Sequence, residues 1–267
     1  MRLTLGFHVF NKQDTIASVL QSWLDTLSGA HEVEVIVVLD DTTDRSEEAV
    51  RACLSAYPHA RRLLYARQGW EIGSDNLMLA AADSDAIVFI QDDNWMHTPG
   101  WDRVLVDTLR RVEKPGAVGL LAGAQFAPDG TISRIECDRP HKGEYFRMQG
   151  CPDAPLGVYQ VPVVTRPCAA WTATARQAGG FDWAYWPMDF DETDFSYRLH
   201  RDGYTNLYIP FDLMNEVGKR STIQEARMME NYERGQAIFM ARYGKHIRTH
   251  GAAAALLWPV NDQLEAL

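Results

Sequence analysis

The stretch "AIVFIQDDNW", residues 86–95, runs five apolar residues straight into Gln91, Asp92, Asp93 and Asn94. An apolar run without alternation is what a parallel strand covered on both faces requires. Two adjacent carboxylates at its end repel each other unless solvent, a lysine or a metal offsets the charge. Upstream, "LTLGFHVF" (3–10), "VEVIVVLD" (33–40) and the short "RRLLYA" (61–66) also read as strands. Helical patterns separate them. "DTIASVLQSWLDTL" (14–27) puts Ile16, Val19, Leu20, Trp23 and Leu27 on one face. "TTDRSEEAVRACLSAY" (42–57) opens on capping residues, "SDNLMLAAA" (74–82) is a third helix, and Thr98-Pro99 starts a fourth through about Val112. Residues 1–112 therefore read as β-α-β-α-β-α-β, a doubly wound α/β half.

The second half changes character. "AVGLLAGAQF" (117–126), "PDGTISRIEC" (128–137) and "GVYQVPVVTR" (157–166) read as strands of a mixed or antiparallel region. A helix at 172–178, a helix at 191–203 and a strand at 204–210 follow, then two helical stretches at roughly 222–243 and 251–257. The segment 138–156, rich in proline, glycine and charge, reads as a flexible loop.

No linker, repeat or low-complexity tract divides the 267 residues, so the chain reads as one domain. A net charge of −10 argues against a nucleic-acid partner, which calls for a basic face. Cys53, Cys137, Cys151 and Cys168 form no C-x-x-C pair, which suits reduced thiols and a cytoplasmic location. The opening "MRLTLGFHVF" lacks the pattern of a signal peptide, and "GAAAALLWPV" (251–260) is too short to span a bilayer.

Open α/β sheets bind ligands beyond the carboxyl ends of their strands. Here those ends carry "HVFNK" (8–12), "LDDTTD" (39–44), Arg67 and "QDDN" (91–94). The absence of a G-x-G-x-x-G disfavours a dinucleotide site. Carboxylates can still meet a diphosphate if a hard divalent ion lies between them.

"FNKQDTIASVLQSWL" (10–24), "VEVIVVLDDTTD" (33–44), "AAADSDAIVFIQDDN" (80–94), "AGGFDWAYWPMDFDETDFSYRLHRDGY" (178–204) and "LYIP" (207–210) follow one another in a telling order. Over roughly residues 3–222 the chain resembles glycosyltransferase family 2, the inverting nucleotide-sugar transferases of the GT-A fold. The resemblance implies an α/β fold with a nucleotide-sugar-binding half (1–112), an acceptor and catalytic half (113–222) sharing a mixed central sheet, and a helical C-terminal extension (223–267). It implies transfer of a sugar from a nucleoside-diphosphate donor, most commonly a UDP-sugar, to a carbohydrate or other hydroxyl acceptor, with Mn2+ or Mg2+ as cofactor.

Residue by residue, the resemblance points to Asp41 as acceptor for the base, with Phe10 and His8 cradling it and Arg67 on the nucleotide. His8 fits equally well as a core histidine. Asp93 is the implied metal ligand and Asp92 the ribose or phosphate-side partner, while Gln91 stands where the family usually has the first aspartate. Counting six back from Arg198 makes Glu192 the implied general base, with Asp191 as the alternative. Glu216 falls where many members carry a metal-binding histidine. Lys219 and Arg220 would neutralise the departing diphosphate.

Trp171, Trp183, Tyr185 and Trp186 either offer flat faces to an acceptor or fill the core. The helix "TIQEARMMENYERGQAIFMARYG" (222–244) either covers the core or touches a membrane surface or partner. Two other functions compete. A catalytically silent nucleotide-sugar-binding module would explain the departures at Gln91, Glu192 and Glu216. A sugar-phosphate nucleotidyltransferase would need a glycine-rich basic loop after the first strand, which "FNKQD" does not supply.

Overall fold

A computed structural model describes residues 1–120, 124–126, 132–134, 137–141, 145–149, 157–209, 211, 213–216, 225–250 and 255–259. The first half alternates β1 (Arg2–Val9), α1 (Ile16–Asp25), β2 (Glu32–Asp40), α2 (Ser46–Ser55), β3 (Ala60–Ala66), α3 (Trp70–Ala81) and β4 (Ala86–Ile90). These four strands are parallel in the order β3-β2-β1-β4. All four carboxyl ends therefore meet along one edge, where β1 lies between β2 and β4.

Side-chain alternation along β1 sorts its two faces. Phe7 turns to α1, packing edge-on against Trp23 with ring centroids 6.5 Å apart. Gly6 and His8 share the opposite face, toward α3. A Cβ on Gly6 would lie 2.7 Å from the Met78 sulfur, so the close approach of α3 depends on that glycine.

Helix α3 starts four residues earlier than the apolar pattern predicts, and the reason is long-range. Asp40, at the end of β2, accepts from the backbone N–H groups of Gly69 (3.0 Å) and Trp70 (2.6 Å). A carboxylate 29 residues upstream thus does the work of an N-cap. After β4 comes a strand the sequence did not announce, β5 (Asn94–Met96), and then α4 (Trp101–Arg111). That helix opens at Gly100, whose φ of 68° sets the turn, rather than at Thr98-Pro99.

The second half supplies β6 (Pro115–Gly119), β7 (Ala124–Phe126), β8 (Ile132–Arg134), β9 (Cys137–His141), β10 (Tyr145–Gln149), β11 (Gly157–Val161) and β12 (Cys168–Trp171). Then follow α5 (Thr172–Gln177), a 3-10 turn at Trp183–Tyr185, α6 (Asp191–Arg201), β13 (Thr205–Tyr208), β14 (Leu213–Glu216), α7 (Glu225–His250) and β15 (Ala255–Pro259). The central sheet runs β15-β11-β13-β6-β12-β4-β1-β2-β3, and β12 enters it antiparallel to β4, so the sheet is mixed as expected. A second sheet, β5-β14-β10-β9, stands over the carboxyl edge, since β5 continues directly from the end of β4.

Three readings need correction. The supposed loop 138–156 contains β9 and β10, which pair antiparallel with Arg147 opposite Arg139. Of the helix expected at 251–257, residues 251–254 lie outside the described residues and 255–257 belong instead to β15, which pairs with β11. Its alanine-rich sequence favours a helix, but an available strand edge outweighs local propensity. Among the described residues the C-terminal extension is therefore one long helix and a strand. Finally, β12 went unrecognised, because "CAAW" is too short and too poor in β-branched residues to signal a strand. Among the described residues no helix is long and apolar enough to cross a membrane.

Candidate active site

At the carboxyl edge the strand ends meet two helix starts. Asp92 is mostly buried and turned back into the protein. Its Oδ2 accepts from the Phe10 backbone N–H at 3.0 Å, and its Oδ1 lies 3.8 Å from the Lys12 ammonium. It thereby fastens the end of β4 to the end of β1. Asp93 is different. It accepts only a neutral hydrogen bond, from the Asn94 amide at 2.9 Å, and no cation touches it among the described residues. Burial, reinforced by the neighbouring Asp92 charge, pushes its carboxyl up to about 7 against the partial relief from Lys12.

Gln91 explains itself through its neighbour. Its amide donates to Glu71 Oε1 at 3.1 Å, so an aspartate there would face a carboxylate. The charge missing from the strand end is present on α3, one hydrogen bond away.

Glu71 and Asp75, one turn apart on α3, face a buried arginine that sequence reading passed over. Arg166 precedes β12 and its side chain is 2% exposed. Its Nε and Nη2 donate to Asp75 Oδ2 at 2.8 and 2.6 Å. Its Nη2 also donates to Asp191 Oδ2, and its Nη1 reaches Glu71 Oε2 at 3.2 Å and Glu192 Oε2 at 3.1 Å. His8 completes the group, its Nδ1 lying 3.6 Å from Asp75 Oδ1. That distance makes an ion pair rather than a hydrogen bond. Burial lowers the imidazole's pKa, but Asp75 more than reverses this and the ring sits at about 9.

Four carboxylates thus surround Arg166 and His8. They do not share the deficit equally. Asp75 falls below the usual carboxylate range because Arg166 and His8 outweigh its burial. Glu71 is raised, burial outweighing Arg166. Glu192 is raised further, by burial and then by the adjacent Asp191 charge.

The acidic run that opens α6 divides by environment. Asp189 and Phe190 take φ values of 71° and 65°, a left-handed pair unusual for a bulky residue, and they aim the first turn inward. Asp194 belongs to the scaffold, accepting from Arg198 Nε (2.6 Å), Tyr243 Oη (2.8 Å) and Tyr185 Oη (3.1 Å). Asp191 is fully buried, with Oδ1 lacking a hydrogen-bond partner among the described residues. Glu192 keeps 16% of its side chain open to solvent, and so it is the member of the run a substrate can reach.

Of the remaining expected residues, Asp41 is exposed at φ 47° and one oxygen accepts from the Gln68 N–H at 3.0 Å. Arg67 is exposed beside it, without an ion pair among the described residues. Phe10 lies against Trp70, ring centroids 6.5 Å apart. Glu216 ends β14, whose register sets Asn215 opposite Asn94, so the backbones of Asp93 and Glu216 flank that pair. Lys219 and Arg220 lie outside the described residues.

The aromatic cluster splits. Tyr185 is buried in the core, whereas Trp183 (58%) and Trp186 (38%) are exposed. The Trp183 ring rides on α3 at Gly73, where an added Cβ would meet it at 3.0 Å. His246 is bonded to the Tyr197 hydroxyl at 2.7 Å and stacked on His250, which is a packing arrangement.

Sequence reading missed Lys12, Glu71, Asp75 and Arg166. The i,i+4 spacing of Glu71 and Asp75 was a usable signal. Nothing local marks Arg166.

Residues 7–152, more than half of the chain, match the profile of glycosyl transferase family 2. The chain belongs to that family. Solved glycosyltransferases share its fold. GalNAc-T7 with UDP, GalNAc and Mn2+ superposes with a TM-score of 0.68 at 11% identity, covering 91% of this chain and 49% of that one. The mannosyltransferase PcManGT from Pyrobaculum calidifontis, in complex with GDP-Man and Mn2+, gives 0.63 at 18% identity, covering 99% and 68%. S. aureus TarS 1-349 in complex with UDP-GlcNAc gives 0.61 at 13% identity, covering 94% and 74%. The chain has the GT-A fold, and it spans about half the length of the GalNAc-T7 chain. No curated protein sequence matches it.

Proposed function

We propose that this glycosyltransferase is a metal-dependent, inverting enzyme that moves a sugar from a nucleoside-diphosphate donor to a carbohydrate or other hydroxyl acceptor. The observation that carries the reading is Asp93: a partly buried carboxylate at the strand edge, with a neighbouring negative charge and, among the described residues, no cation in contact. Such a group suits a divalent ion. Among the described residues no three metal-binding side chains converge, so the fit is to an ion held partly by the donor diphosphate. Asp93, with Glu216 beside it in register, would hold Mn2+ or Mg2+. When bound, the ion supplies charge neutralisation of the leaving diphosphate. The complexes of GalNAc-T7 and PcManGT, which contain Mn2+ and a nucleotide or nucleotide sugar, support this choice.

In this reading Asp41 and Arg67 receive the nucleotide, with Phe10 beside the base and Asp92 holding the strand end near the ribose. His8 stays in the core, orienting Asp75. Lys219 and Arg220 meet the diphosphate. Glu192 takes the acceptor proton while the acceptor oxygen bonds to C1 from the face opposite the leaving group. The C1–O bond breaks, and its electron pair leaves on the diphosphate. Asp191, paired with Arg166 through Oδ2 and shut from solvent, supports rather than performs that step. The exposed rings of Trp183 and Trp186 suit an acceptor sugar.

Titration calorimetry with UDP and Mn2+ on the wild type and Asp93→Ala, together with transfer to water across a donor panel, tests this. Metal-dependent binding that survives Asp93→Ala removes the ligand assignment. Glu192→Gln should lose about 10²- to 10⁴-fold in turnover with nucleotide binding intact. Binding without turnover of any donor would favour the silent module.

A further inference from the structure

Arg166 joins parts of the molecule that come from distant stretches of chain. Glu71 and Asp75 sit on α3 in the donor half, Asp191 and Glu192 on α6 in the acceptor half, and the guanidinium lies between them. Asp75 accepts from both Nε and Nη2, a side-on grip that fixes the plane of the fork. With that plane fixed, Nη1 projects between Glu71 and Glu192. The Phe181 ring, 5.1 Å from Cζ, lies against the guanidinium.

We propose that Arg166 is a positioning residue for Glu192, a buried clamp anchored on Asp75 that holds the proton-accepting carboxylate in place and opposes its protonation. The proposal rests on Glu192 being the general base. The groups that face Glu192 are Asp191 on its own helix, Glu71 on α3, the Cys168 thiol on β12 and Arg166. Asp75 and His8 stand behind, on the far side of the guanidinium. Among the described residues Arg166 is the one cation paired with Glu192. Two carboxylates, Asp191 and Glu71, favour the protonated acid, which cannot accept a proton, and with Arg166 at 2% exposure little water screens its opposing charge. A lysine would keep the charge but could not span Asp75 and Glu192 with one ammonium. Gln91 extends the device, because its bond to Glu71 Oε1 leaves Oε2 to Arg166.

The test compares wild type, Arg166→Met, Arg166→Lys and Glu71→Gln, each checked for folding by circular dichroism. Glu192 is titrated by carbon NMR with carboxyl-labelled glutamate, its signal assigned from its loss in Glu192→Gln. The midpoint should move to higher pH in Arg166→Met and to lower pH in Glu71→Gln, which removes a competing charge and frees the guanidinium. Arg166→Lys should restore most of the midpoint but not the rate. Turnover on the acid side of the pH profile should fall roughly tenfold in Arg166→Met, while UDP affinity with Mn2+ stays within about twofold because no nucleotide contact is lost. If Arg166→Met does not fold, the downward move in the near-isosteric Glu71→Gln carries the test. A Glu192 midpoint unmoved by Glu71→Gln, or moved upward by it, overturns the clamp. A wild type that turns over no donor overturns the base assignment instead, while the NMR titration still decides whether Arg166 governs Glu192.

Discussion

Replacing Asp93 by asparagine should make the metal-free protein more stable and at the same time abolish its response to Mn2+. The carboxyl rises from an ordinary 3.8 to about 7 in the folded state. Between those values the folded protein holds a proton that the unfolded chain has released, so stability falls as pH rises through the interval. At about 1.4 kcal/mol per pH unit the ceiling is about 4 kcal/mol above pH 7. Water reaching a partly exposed strand end lowers that, and about 1–2 kcal/mol is the expected gain for Asp93→Asn. The asparagine keeps the one hydrogen bond, since its Oδ1 can still accept from the Asn94 amide. Urea unfolding in EDTA should show the gain at pH 8 and its disappearance by about pH 3, where both states of the wild type are protonated. Saturating Mn2+ and UDP should stabilise the wild type by about 2.7 kcal/mol at a hundredfold excess over Kd and leave Asp93→Asn nearly unmoved. A variant no more stable than wild type at pH 8, or a gain equal at pH 8 and pH 3, refutes the reasoning.

Further outcomes follow from particular contacts. Asp40→Ala removes both acceptors at the start of α3 and should cost about 1–2 kcal/mol in urea unfolding. An unchanged midpoint would mean that water replaces the cap. His8, raised from 6.5 to about 9, contributes stability that is complete below pH 6.5 and lost as pH rises through about 9. His8→Gln should therefore flatten the pH dependence of stability across that window, by about 3 kcal/mol at most. Trp183→Ala, at an exposed site, should change stability by less than about 0.5 kcal/mol yet weaken acceptor binding up to roughly tenfold. Acceptor kinetics that do not move would assign Trp183 to the scaffold alone.

The sequence by itself determined the doubly wound half, because its signals are local. Apolar runs such as "AIVFI" and the one-faced pattern of "IASVLQSWLD" are set by residues adjacent along the chain. It also singled out the carboxyl edge where Asp41, Asp92 and Asp93 gather, since strand ends with carboxylates can be read in order. Short strands were illegible: β12 and β15 exist only because partner strands leave edges for them. The division of labour among the acids was illegible too. Asp92 and Asp93 are neighbours with the same side chain, yet one is engaged by Phe10 and Lys12 while the other is left desolvated. Gln91 looked like a lost charge until Glu71 was seen beside it. What only the tertiary structure decided is the group around Arg166, which draws residues 8, 71, 75, 166, 191 and 192 to one point. The physical reason is that a buried charge is set by whatever surrounds it in space, and those surroundings are assembled from segments with no fixed spacing in the chain.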